Sequence, residues 1–185
     1  REPNRADCAE DPPPAALIGL SKSIPKVRLG ISSLLTTDKS FESAANGQSD
    51  LSRERYQRIE RIINQAIDAY PRPTHLLLPE LSLPERWVDT VSGRLHDAGI
   101  SLIAGLDYHR EPPNLIHSEA VLVLADDRLG FASSVQIRQA KSLPAAGEEK
   151  ILLKNFGQEW SKGLTSNDKP VYVHAGFCFG LLVCS

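Results

Sequence analysis

The spacing of apolar residues changes several times along the chain, and each change marks an element. "KVRLGISSLL" (26–35) alternates, with Val27, Leu29 and Ile31 on one face, and predicts a strand. "TTDKSFESAANGQSD" has no apolar period and reads as a polar loop. In "LSRERYQRIERIINQAIDAY", Tyr56, Ile59, Ile63, Ala66 and Tyr70 recur at spacings of three and four and predict an amphipathic helix. Ser49 or Asp50 can cap it, and Pro71 and Pro73 stop it. Its arginines, interleaved with Glu54 and Glu60, predict a solvated face. "THLLLPE" reads as a strand buried on both faces. "LPERWVDTVSGRLHDAG" predicts a second helix: Pro84 suits its first turn, Trp87, Val88, Val91, Leu95 and Ala98 form the stripe, and Gly99 stops it. "ISLIAGLDY" is another buried strand, and "EAVLVLADDRLGFASSVQIRQAK" predicts two strands around a turn at Asp126–Asp127. A loop with "LPAAGEE" leads into an irregular polar insert through Asp168, and "PVYVHAG" and "FGLLVCS" predict two last strands.

This order predicts an α/β fold with helices on one face of a sheet. Two helices supply one layer, so the other face needs cover from a partner subunit or from sequence outside this stretch. Residues 1–25, polar and Pro-rich at their start, read as an arm or interdomain linker, and 26–185 as one domain. Arg1 is the first residue and there is no methionine, so both ends are expected to be cut from a longer chain.

Composition narrows the classes further. The 185 residues are 41% hydrophobic and 24% charged with net charge −2, which gives no electrostatic argument for nucleic acid or an acidic membrane surface. No apolar run approaches the roughly 18–20 residues that span a bilayer, and no signal-peptide pattern opens the chain. Cys8, Cys178 and Cys184 are irregularly spaced and cannot form a disulfide framework, so a reducing compartment, the cytoplasm, is expected.

Three polar residues stand at predicted strand ends: Glu80 in "LLLPEL", Lys141 in "IRQAKSLP" and Cys184 in "LLVCS". Such positions let a rigid sheet aim reactive groups. A thiolate is the nucleophilic form of cysteine, and a nearby ammonium favours it. A carboxylate within reach can accept the thiol proton, and the ammonium can then stabilise the charge that develops on an attacked carbonyl or nitrile. Taken singly, each residue has a plainer reading: a small buried hydrophobe for Cys184, a helix-flanking carboxylate for Glu80, a solvated loop charge for Lys141.

Four segments in order resemble the carbon–nitrogen hydrolase (nitrilase) superfamily: "LLLPELSLP", "ISLIAGLDY…NLIHSEAVLVLADDRLG", "QIRQAKSLPAAGEE" and "GLLVCS", spanning about Lys26 to Ser185. The resemblance implies Cys184 as nucleophile, Glu80 as general base and Lys141 as stabiliser of the tetrahedral intermediate. It also implies that Glu148 or Glu149 holds the lysine and positions substrate. The implied activity is hydrolysis of a small-molecule amide, nitrile or carbamoyl group through a thioester, with no cofactor or metal. The implied fold is a four-layer αββα sandwich, of which this chain supplies roughly the first half, in a homo-oligomer. Arg138 and Ser142 stand where an aromatic residue and a histidine are often seen, and "KNFGQEWSKGLTSND" is a long connection from lysine to cysteine.

The competing reading is a nitrilase-like scaffolding, sensing or oligomerising domain of a multidomain protein, such as a bacterial antiviral-defence reverse transcriptase, with an upstream domain in the same polypeptide. A doubly wound nucleotide-binding domain ranks last, since the first loop has a single glycine and no phosphate-binding pattern. His174, Cys178 and Cys184 fit no common zinc spacing, and Cys178 reads as core. His75, His96, His109 and His117 are scattered without nameable partners, and Trp160 reads as packing or interface.

Overall fold

In the computed structural model, which describes residues 26–126, 130–131, 133–163, 171–174 and 177–180, the leucine-rich segments form the middle of a five-stranded sheet of order β1-β2-β3-β6-β7. β1 (Leu29–Ile31), β2 (His75–Leu83) and β3 (Ser101–Leu106) run parallel, while β6 (Glu119–Asp126) and β7 (Ser133–Ala140) add as antiparallel neighbours. α2 (Arg53–Asp68) and α3 (Val88–Asp97), the latter entered through a 3₁₀ turn at Glu85–Trp87, connect the parallel strands. Their stripes, Ile59, Ile63 and Ala66 on α2 and Val88, Val91 and Leu95 on α3, pack on Leu76, Leu78, Leu102, Ala104, Val121 and Val123. The fold is therefore mixed α/β with helices against one sheet face.

Strand alternation sends Leu77 and Ile103 to the other face. There the hairpin of β9 (Val171–His174) and β10 (Phe177–Gly180) encloses a cavity of about 360 Å³ with Val27, Leu29, His75, Leu77 and Ile103. Leu77 is half-buried, so this strand is less completely covered than its three leucines predict.

Several expectations are corrected. The first polar loop contains α1 (Asp38–Ala45), where Thr37 caps by accepting from the Ser40 amide and Phe41, Ala44 and Ala45 pack inward. α2 is capped by Ser52, not Ser49 or Asp50. Asp50 instead accepts from the Ser40 hydroxyl at 2.8 Å and the Ser52 amide at 3.0 Å. Tyr70 lies beyond the helix and is fully exposed. Arg55, expected on a solvated face, is buried. The polar insert after Lys141 begins with α4 (Glu148–Phe156). β4 (His109–Glu111), β5 (Leu115–His117) and β8 (Glu159–Trp160) form a small second sheet that the sequence pattern does not announce. The last predicted strand starts earlier, at Phe177, and Cys178 on it is exposed and disulfide-bonded rather than core. The predicted arm (1–25), Asp127 of the predicted turn and Cys184 lie outside the described residues. No helix among the described residues is long and apolar enough to cross a membrane.

Candidate active site

Glu80 sits where β2 breaks its ladder with β3. Between the pairs Leu78–Ala104 and Leu83–Leu106, β2 advances five residues while β3 advances two. Pro79 has no amide to donate and suits such a break. Leu81 takes φ +53°, a left-handed conformation rare for leucine, in which strain is tolerated only when surrounding contacts fix it. Those contacts are present. Arg55 donates to the Leu81 carbonyl at 2.9 Å, and the Thr36 hydroxyl donates to the Glu80 carbonyl at 3.2 Å. The Ser82 hydroxyl donates to the Gly105 carbonyl at 3.2 Å. A Cβ on Gly105 would lie 2.4 Å from the Glu80 Cα, so only glycine admits this close approach.

Lys141 follows β7 directly, its amide donating to the Ser118 carbonyl at 2.8 Å. Its side chain is fully buried, and Nζ donates at 2.8 Å to Glu80 Oε1 and at 2.8 Å to Glu148 Oε2. The indole of Trp160, on β8, lies beneath the ammonium at 5.5 Å. Glu148 is the first residue of α4, after Gly147 at φ +88°. The helix N-terminus favours its charge, and its carboxylate accepts from the Ala145 amide at 2.5 Å and from the Tyr108 hydroxyl. Phe41 packs edge-on against Tyr108, so the overlooked helix α1 helps hold the tyrosine in place.

The charges follow from these contacts. Burial disfavours the Lys141 ammonium, but hydrogen bonds and attraction from Glu148 and Glu80 outweigh it and raise its pKa. Burial likewise opposes ionisation of Glu148, but Lys141, Tyr108 and the Ala145 amide outweigh it and lower its pKa. Burial and the Glu148 carboxylate push the Tyr108 phenol far up, so it is a neutral donor. Two of the three ammonium protons of Lys141 go to carboxylates. Glu80, one-third exposed, also accepts from the Ser118 hydroxyl at 3.2 Å. With Phe41, Leu81, Tyr108, Ala145, Glu148 and Ile151 it lines a cavity of about 300 Å³.

Of the residues singled out in the sequence, Glu80, Lys141 and Glu148 meet in one cluster, while Glu149 points to solvent. Cys184 lies outside the described residues. Tyr108 and Ser118 were missed as members of the cluster, although both lie inside segments quoted for other reasons. Nothing local to either residue marks it. Apart from this cluster, His109, Glu111 and His117 are grouped closely enough to hold a metal ion. No family model, curated protein or solved structure matches the chain.

Proposed function

We propose that the chain is a carbon–nitrogen hydrolase domain of the nitrilase type, in which Cys184 attacks an amide, nitrile or carbamoyl carbon. The observation that carries this reading is the buried ammonium of Lys141 between Glu80 and Glu148, beside a cavity of small-molecule size. In this mechanism Glu80 accepts the thiol proton as sulfur attacks, and the Lys141 ammonium stabilises the developing negative charge. Collapse of an amide adduct sends the Glu80 proton to the leaving amine and leaves a thioester. Water, deprotonated by Glu80, then cleaves it and restores the thiol. Glu148 keeps Lys141 charged and fixed, and Tyr108 keeps Glu148 in place. The helix layer on one sheet face, with Leu77 and Ile103 on the other, supports one half of an αββα sandwich.

Ammonia release from a panel of short aliphatic and aromatic amides and nitriles tests the proposal. Turnover of at least one substrate class is expected, with Cys184→Ala inactive. Lys141→Ala should fall about 10²–10³-fold and Glu80→Gln about 10²–10⁴-fold. Turnover undiminished by Cys184→Ala, or no turnover and no substrate adduct on Cys184 by intact mass, would overturn it.

A further inference from the structure

A second cluster lies on the β4–β5 hairpin, where His109 stands directly across from His117. Side chains alternate along a strand, so His109, Glu111 and His117 share one face of the ribbon while Arg110 and Ile116 take the other. The two imidazole rings are 4.9 Å apart, centroid to centroid. His117 is only 3% exposed, yet its Nδ1 has no hydrogen-bond partner. The nearest carboxylate oxygen, from Glu111, is 3.6 Å away, beyond hydrogen-bond reach.

The other ring nitrogen explains which way His117 faces. Nε2 lies 3.2 Å from Glu119 Oε1, and an ionised carboxylate only accepts, so Nε2 carries a proton. The second oxygen of Glu119 lies 3.6 Å from Arg138, which orients the carboxylate. A ring held this way through Nε2 turns its unpartnered Nδ1 toward Glu111 and His109. One nitrogen bare and the other donating to a fixed carboxylate is the arrangement that supports metal-bound histidines.

We infer that His109, Glu111 and His117 bind a borderline divalent cation of the zinc type, with Glu119 positioning His117. Their ligand atoms lie within 4.8 Å of one another. A tetrahedral ion with bonds of about 2.0–2.2 Å holds its ligand atoms about 3.3 Å apart. The Glu111–His117 pair is already near that spacing, and His109, exposed, has room to swing in. Two imidazoles and one carboxylate suit zinc or its neighbours and disfavour magnesium, which prefers oxygen ligands. The fourth position is left for water. Because His117 immediately precedes Ser118, the hydroxyl partner of Glu80, the ion would pin the strand that carries Ser118. This inference does not depend on thiol chemistry.

The test uses tag-free full chain with its thiols alkylated, stripped with EDTA and titrated with Zn²⁺, and with Co²⁺ as an optical probe. One zinc per chain is expected, and visible Co²⁺ absorption of four-coordinate intensity. His109→Ala and Glu111→Gln, both at accessible positions, should each weaken zinc binding at least about tenfold while circular dichroism stays unchanged. Glu119→Gln should weaken it about 10–100-fold. Failure of the wild type to retain zinc against dialysis would overturn the site, as would equal zinc affinity in His109→Ala and Glu111→Gln. Either result leaves His117 as a packed histidine held by Glu119 alone.

Discussion

Lys141 has its whole side chain out of water, and its two carboxylate partners, with the Trp160 ring beneath, keep that tolerable. Burying an unpaired ammonium is strongly unfavourable, and removing one partner of a buried pair typically costs about 3–5 kcal/mol. The pH dependence follows from the signs of the shifts. Glu148 has a folded pKa below its ordinary 4.5, so its contribution is present above that value and is lost as pH falls through the folded pKa. Lys141 has a folded pKa above its ordinary 10.5, so its contribution holds below that value and is lost as pH rises through the folded pKa. Between about pH 5 and pH 10 the pair should be at full strength. Urea unfolding of wild type and Glu148→Gln should therefore show a stability gap that is flat across that window and narrows in acid. A gap that widens below pH 4.5 would contradict the assignment of Glu148 as the charged partner of Lys141.

At the scale of elements, the site depends on how α2 grips the broken end of β2. Arg55 pairs with Asp107 at 2.6 and 3.2 Å, with both side chains at most 5% exposed, and also donates to the Leu81 and Asp50 carbonyls. One guanidinium thus ties α2 to the strained turn beside Glu80 and to the residue following β3. Arg55→Ala should cost about 3–5 kcal/mol because it strands a buried Asp107. The double variant Arg55→Met/Asp107→Leu should recover much of that stability. Chemical denaturation of the single and double variants measures both, and equal losses would show that the pair's charges are not what matters. The helix pattern of α2 was legible from its apolar spacing, but a buried arginine within it was not, because its carboxylate partner is 52 residues away. α1 was missed because its inward residues are only Phe41, Ala44 and Ala45, one short stripe in an otherwise polar stretch. α4 was missed because half of its apolar surface faces solvent, with Ile151 and Leu153 exposed, which blurs the period.

For the molecule as a whole, the succession of strands and helices and the single helix layer were readable, because continuous leucine runs and 3.6-residue stripes are local signals, whereas the strand order within the sheet was not. The small sheet of β4, β5 and β8 was not, since strands of two or three residues carry no period. In the site, Lys141 was readable as a polar residue at the end of a strand, whereas Glu80, expected at a strand end, lies inside β2 at the break in its ladder, and the choice of Glu148 over Glu149 required the start of α4. Tyr108, Ser118 and the His109–His117 pairing exist only through long-range register. The central claim joins all of these scales: a buried, doubly paired Lys141 and the carboxylate of Glu80 serve a reactive thiol at Cys184. Its most direct test is the rate of Cys184 alkylation by iodoacetamide across pH 5–10 in protein reduced beforehand, since Cys178 is disulfide-bonded, read by peptide mass spectrometry in wild type, Lys141→Met and Glu80→Gln. The account predicts rapid labelling that persists well below the ordinary thiol pKa of about 8.5, and slower labelling that shifts to higher pH in both variants. Labelling of Cys184 that follows an unperturbed thiol in all three proteins would contradict it.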